Sequence, residues 1–301
     1  MPNDTLASDI AEIRSAYVRD RFAFVPGATV VRIVRALGAT DEDLSRLGTV
    51  SDALESDPTL PFRKTRTGRF GFDPVAMEVR RLEFQPFMLS TEDDFVRHDA
   101  GKVRIFDEIR DDLQQNTALQ ALFVLKFMVF DGMRVEHRPR LDYDSDRWVC
   151  TLLNVRTTTT RDLVGEPALE GVHSDGVDHT MTTYLGSANM TEDSAVTFLH
   201  EMDEKNGTRW HDTDPALVRA RAQHREFLDT CLIVDHELKH SVSTLNAADP
   251  DRPATRDLLA FLTRRPVSAS HHSRDFDSPA PHPDLPMTVP LRAFGEPASV
   301  A

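Results

Sequence analysis

Cysteine is nearly absent from this chain: Cys150 and Cys231 are the only two among 301 residues. Both stand in apolar runs, RWVCTLL and DTCLIV, where a free thiol packs as a small hydrophobe. A disulfide framework is therefore not expected, and a reducing cytoplasm is the expected compartment. Long hydrophobic runs are missing too. No stretch reaches the roughly 18 apolar residues of a membrane-spanning helix, and the acidic start MPNDTLASDIAEIR lacks the apolar segment of an export signal. There is no Gly-rich phosphate loop, no CxxC pair and no internal repeat. Basic clusters are scarce as well. With 35 Lys and Arg against 49 Asp and Glu, a formal charge of −14, the chain has no electrostatic means of wrapping a phosphate backbone, and nucleic acid is not an expected partner.

What the chain does have is length for a full core and a change of texture partway along. Residues 1–130 read as a helical and mixed N-terminal region. Ile10, Ile13 and Tyr17 recur at helical spacing, FAFV suggests a short strand, and Thr40-x-x-Asp43 opens a further helix. The apolar run Thr117 to Phe130 reads as a buried helix passing into a strand. From 131 to 265 the pattern is mainly β. RWVCTLLNVRTTTT, HTMTTYLG, SAVTFLHEM, TCLIVDHEL, HSVSTL and RDLLAFLTR are short, rich in β-branched residues and separated by turns, as in an antiparallel sandwich or barrel. WHDTDPALVRARAQHREFL inserts one expected helix, and residues 266–301 read as a loosely ordered Pro/Ser/His-rich tail.

The chemistry concentrates in EGVHSDGVDH and DHELKHSVSTL. Residues i and i+2 of a strand share a face, so His173 and Asp175 aim an imidazole and a carboxylate at one point, and His240 supplies a third group from a distant strand. Two His and one carboxylate on one side of a metal leave the other positions open, the arrangement of non-haem Fe(II) oxygenases. A second His-x-Asp, His282 and Asp284, lies in the Pro-rich tail with no His after it and is set aside. Arg256 begins an apolar strand, where an Arg is costly unless paired.

The residues GVHSDGVD (171–178), YLGSANM (184–190), LDTCLIVDHELKHSVSTL (228–245) and RDLLAFLTR (256–264) resemble the double-stranded β-helix dioxygenases that use Fe(II) and 2-oxoglutarate. The closer resemblance is to the bacterial amino-acid hydroxylases that include L-isoleucine 4-hydroxylase, with weaker echoes in FRKTR (62–66), FQ (84–85) and GKVRIF (101–106). It implies a jelly-roll, cupin-like core and a metal held by His173, Asp175 and His240. It further implies Fe(II), 2-oxoglutarate and O2 as cofactor and co-substrates, and Arg256 on the far carboxylate of 2-oxoglutarate. The implied reaction is hydroxylation of a C–H bond in a free or N-modified amino acid, with release of succinate and CO2. Asp175, a carboxylate where halogenating relatives have Gly or Ala, argues against halide chemistry. Ser174, where a basic residue is expected, and Asn189 followed by MTEDS rather than a Gly-Gly turn are departures that bear on substrate identity.

Two other readings share these residues. His236-Glu237-x-x-His240 is a literal HExxH, which on a helix binds zinc in metalloproteases, but CLIV before it and SVSTL after it favour strands. A non-catalytic cupin-like binding protein is the other. Arg156, on a strand expected to face the cavity, is a candidate for a substrate carboxylate or for a structural Asp, ahead of Arg66 and Arg104. Arg252, Arg264 and Arg265 are expected to face water. His179 is expected to line its strand; His200, His211 and His224 are expected at the surface, and His271 and His272 in the exposed tail.

Overall fold

The computed structural model describes residues 2–294. Three helices and a strand open the chain: α1 (Pro2–Asp20), β1 (Phe22–Val25), α2 (Gly27–Ala36) and α3 (Asp41–Leu47). β2 (Arg63–Asp73), β3 (Glu78–Leu82), β4 (Asp107–Glu108), α4 (Asp111–Gln114) and α5 (Thr117–Phe130) follow. The rest is β: β5 (Trp148–Thr159), β6 (His179–Ala188), β7 (Thr197–His200), β8 (Val218–Ala222), β9 (Thr230–Val234), β10 (Lys239–Val242), β11 (Ala254–Arg264) and β12 (Thr288–Pro290). Among the described residues no helix is long and apolar enough to cross a membrane.

Two sheets form. The larger has nine strands, in the order β1-β9-β6-β11-β5-β2-β3-β12 with β4 beside β2; the smaller runs β10-β7-β8. Strand alternation gives the large sheet two different faces. On β11, Leu259 and Phe261 point to the helices and join the main core, whereas Arg256, Leu258, Ala260 and Leu262 point into a cavity on the opposite side. β5 splits likewise, with Cys150 and Leu152 in the core and Leu153, Val155 and Thr157 on the cavity.

α5 is the helix this sheet rests on. Asn116 caps it by accepting from the Ala118 and Leu119 N–H groups, and the helix continues unbroken to Phe130 because its sequence holds no Gly or Pro. No strand follows directly, contrary to expectation. Phe123 meets Phe70 and Phe261 with ring centroids 4.6 and 5.4 Å apart, so every face of the helix is buried and its all-round apolar character is explained. Lys126, fully buried, donates to the carbonyls of His179 and Phe261 at 2.9 Å, tying the helix to β6 and β11. At α3 the Thr40 cap forms as read, with its hydroxyl accepting from Asp43 N–H.

Three sequence readings need correction. The segment expected as a helix after Trp210 holds a short 3-10 turn, Pro215–Leu217, and then β8, whose VRARA alternates exposed Arg219 and Arg221 with half-buried Val218, Ala220 and Ala222. The tail is well tied down as far as residue 294: β12 pairs with β3, and Asp277 takes buried ion pairs from Arg69 and Arg264 at 2.8 and 2.6 Å. Arg264 therefore does not face water. Finally, β1, β2, β3 and β12 enter the same sheet as β5, so that sheet crosses the boundaries at 130 and 265.

Candidate active site

Backbone pairing brings the distant histidines together. His173 and His240 form an isolated antiparallel bridge that aligns the loop after Gly171 with β10. Their ring centroids lie 4.3 Å apart. His173 Nδ1 lies 2.8 Å from the Gly171 carbonyl, which can only accept, so Nδ1 carries a proton and Nε2 is the nitrogen available to a metal. That nitrogen is 3.6 Å from Asp175 Oδ1, and His240 Nε2 is 3.8 Å from Asp175 Oδ2. One ligand atom from each of His173, Asp175 and His240 lies within 4.8 Å of the others, close enough for the three to converge on a single metal ion.

The electrostatics favour a cation at that point. Burial alone would lower the His173 pKa, yet the carboxylates of Glu170 and Asp175 raise it to about 9. Burial, aided by charge on His173, pushes His240 down to about 4. Asp175 is held well below the usual carboxylate range against its burial by the two imidazoles and by the Thr180 hydroxyl, which donates to Oδ2 at 2.7 Å.

Sequence reasoning missed Asp235. Its carboxylate accepts the Asp175 N–H at 2.8 and 2.9 Å and the Val177 N–H at 3.2 Å, fixing the turn that presents Asp175. Burial and the nearby Asp175 charge raise its pKa to about 7. The signal was present in the sequence, as an acidic residue closing the apolar run CLIV.

Arg256 points into the same cavity. Its Nε has no hydrogen-bond partner among the described residues, and its Nη2 reaches only His224 Nδ1, at 3.4 Å. Burial lowers its pKa to about 10, which leaves it charged at neutral pH. Arg252 lies on an exposed turn, as expected. Arg156 does not reach the cavity: Val155 and Thr157 face inward, so Arg156 faces the other way and pairs with Asp257 and Asp52 at 2.6 and 2.8 Å.

Arg104, ranked below Arg156 from the sequence, is the second spare cation of the cavity. It is 4% exposed, its Nε and Nη2 have no partners among the described residues, and its nearest carboxylate oxygen, on Asp99, is 3.8 Å away. The Phe87, Phe95 and Phe106 rings surround it at 4.9, 5.4 and 5.9 Å. Its sequence signal was a lone Arg in VRIF.

The remaining histidines fall elsewhere. His179 is buried in the core, where its Nδ1 pairs with the Tyr17 hydroxyl at 2.9 Å. His200 and His224 are buried rather than at the surface, His200 against Ser241 and His224 beside Arg256. His271 and His272 are not exposed either: with Asp93 they form a second cluster of potential ligands. His282 pairs with Glu108. The HExxH segment is not helical. Glu237 lies in the turn between β9 and β10 and is bound to Arg21 at 2.8 Å and to the Glu136 N–H, which removes the protease geometry.

Antiparallel sheets thus carry a two-His-one-carboxylate cluster and a buried Arg on one cavity. The 2OG-Fe dioxygenase family model matches residues 48–262, and the chain belongs to that family. It is an oxidoreductase that uses Fe(II), 2-oxoglutarate and O2. Among solved structures it is similar to the Fe(II)/α-ketoglutarate-dependent dioxygenase TqaL, at 50% identity and a TM-score of 0.84 over 97% of this chain and 98% of that one. A bsmA homologue from Methylobium petroleophilum shares the fold at 19% identity and a TM-score of 0.68, covering 85% of this chain and 93% of its own. IDO from Bacillus thuringiensis does so at 15% identity and 0.63, covering 85% and 99%. The chain is also 45% identical to the bifunctional enzyme flvA of Aspergillus flavus over 94% of its own length, and spans 34% of that protein.

Proposed function

We propose that His173, Asp175 and His240 hold the iron, that Arg256 receives the far carboxylate of 2-oxoglutarate, and that the enzyme hydroxylates a C–H bond of a small amino-acid-like molecule. One observation carries the reading: two buried guanidiniums with unused donors, Arg256 and Arg104, open on the cavity that holds the triad. Buried charges call for partners, and two such cations call for two anions. 2-Oxoglutarate supplies one to Arg256. The substrate supplies the other, a carboxylate bound by Arg104.

When bound, the iron would supply, with 2-oxoglutarate and O2, the oxidising chemistry that hydroxylates an unactivated C–H bond, one oxygen atom going to the product and the other to succinate, with CO2 released. The chain's own residues orient and enclose. The Gly171 carbonyl and Asp235 fix His173 and Asp175, while Leu153, Val155, Leu258 and Val242 line the cavity with apolar surface that limits water. The test is anaerobic addition of Fe(II) and 2-oxoglutarate, which should give the weak visible charge-transfer band of a chelated keto acid, followed by oxygen-dependent succinate formation across a panel of amino acids. No band and no binding at saturation would refute the assignment.

A further inference from the structure

The 266–294 segment brings a second set of converging ligand atoms to the protein, outside the triad. Asp93, His271 and His272 each offer one such atom, and all three lie within 4.8 Å of one another. Asp93 and His271 are buried and His272 is half-buried. His272 Nε2 stands 3.0 Å from Asp93 Oδ2, and His271 Nε2 stands 3.7 Å from Oδ1. Neither contact is a hydrogen bond. The longer one is out of range, and the shorter one is off-line, so the buried His272 Nε2 has no hydrogen-bond partner among the described residues. Two imidazoles with ring centroids 4.1 Å apart thus face one carboxylate without bonding to it, as lone pairs do when they converge on an ion.

The groups behind these atoms suit that role. His272 Nδ1 faces Glu92 Oε2 and Ser90 Oγ, each at 3.4 Å; the carboxylate can only accept, which places the proton on Nδ1 and frees Nε2. His271 Nδ1 lies 2.8 Å from Ser273 Oγ and 3.1 Å from the Ser273 N–H. An ion on Nε2 moves the His271 proton to Nδ1, where the hydroxyl accepts it, at the loss of the bond from that N–H. Asp93 Oδ2 is anchored by the Ser90 N–H at 2.8 Å, which leaves Oδ1 for the ion. The neighbouring cations are engaged elsewhere, Arg140 with Glu92, and Arg69 and Arg264 with Asp277.

We propose that Asp93, His271 and His272 form a second metal site that takes a borderline divalent cation such as Zn2+, with solvent completing its coordination. Two imidazoles and a carboxylate are donors that such an ion takes at about 2.0–2.2 Å. The ion staples the 266–294 segment to the wall of the active site. A Cβ added at Gly176, the residue after Asp175, would meet Asp93 Cβ at 2.9 Å, so Asp93 backs directly onto the turn that presents Asp175.

The experiment titrates Zn2+ into the full chain already loaded anaerobically with Fe(II) and 2-oxoglutarate. Bound metal is counted, thermal melts are recorded, and the visible band reports the triad. One equivalent of Zn2+ should bind with the band unchanged and Tm raised. This count, two metals per chain against one, needs no variant. His272→Gln and Asp93→Asn should each keep the band and weaken the Zn2+ equivalent by at least about 100-fold, since losing a ligand costs more than the roughly 10- to 100-fold of losing an outer partner. Asp175→Ala should lose the band and keep the Zn2+ equivalent. No Zn2+ uptake by the wild type, uptake only by displacement of iron, or unaltered uptake in both His272→Gln and Asp93→Asn would overturn the proposal. A wild type without the band refutes the reading of the triad alone; a Zn2+ equivalent kept in Asp175→Ala and lost in His272→Gln still upholds the second site.

Discussion

His173 and His240 exchange both backbone hydrogen bonds: the His173 N–H donates to the His240 carbonyl at 3.0 Å and the reverse bond is 2.9 Å. Side chains of such directly opposed residues emerge on the same face, so main-chain pairing sets the spacing of the two imidazoles. The spacing of the two proposed ligands is thus set by the backbone.

That relationship decides between the two motifs sharing His240. Asp175→Ala should abolish coupled turnover, whereas Glu237→Gln, which loses a contact to Arg21 outside the cavity, should keep most of it. His236→Ala should still bind one Fe(II). Metal titration and succinate assays check all three, and an active Asp175→Ala beside a dead but folded Glu237→Gln would return the site to HExxH.

Arg256→Ala should weaken 2-oxoglutarate binding by about 2 to 5 kcal/mol, roughly 30-fold to a few thousand-fold, with iron affinity nearly unchanged. Arg256→Lys should restore only part, because an ammonium cannot make the bidentate contact of a guanidinium. Anaerobic titration of the visible band reads both.

Arg104 and Arg156 should separate cleanly. Arg104→Met should raise KM for the carboxylate substrate and leave 2-oxoglutarate affinity in place. Arg156→Ala should leave kinetics near wild type but cost about 1 to 3 kcal/mol of stability, because Asp257, 5% exposed, loses its bidentate partner. Steady-state kinetics and denaturant melts distinguish the two outcomes.

The tail should make the fold acid-sensitive. Burial would raise the Asp277 pKa, but Arg264 and Arg69 lower it to about 2, below the roughly 3.9 of an unfolded Asp. Burial and the neighbouring Arg264 bring Arg69 down to about 10, so it stays charged throughout. A carboxylate with a depressed folded pKa stabilises fully above its unfolded value and loses that contribution as pH falls through the folded one. Stability should thus decline between about pH 4 and 2, and Asp277→Asn, destabilised at neutral pH, should show a shallower decline. Thermal melts across that range test it.

That His173, Asp175 and His240 converge was legible because the His-x-Asp spacing is short and His240 sits between β-branched runs, although His173 and Asp175 lie on a loop rather than on the strand expected. Arg256 was legible as a charge at the start of an apolar strand. Arg156 failed by one residue of phase, which a single strand's sequence does not fix when both faces are buried. Arg104 and Glu170 come from irregular segments that meet only in the folded chain, so no periodicity marks them. The 266–294 segment was read from composition, and specific ion pairs to Asp277 and Asp93 overrode that reading. In VRARA the period-two alternation was visible, but the long polar stretch around it suggested a helix.

The strand order β1-β9-β6-β11-β5-β2-β3-β12 interleaves the two ends of the chain within one sheet. During synthesis, β2 and β3 leave the ribosome long before β5 and β12, the strands that flank them. Until then they present open edges that invite pairing with another chain. Assembly of this sheet is consequently late and dominated by non-local contacts, so the expected hazard is slow maturation and aggregation of nascent chains. Removing the last strand would leave β3 permanently open, turning a distant truncation into a solubility defect with the iron site untouched.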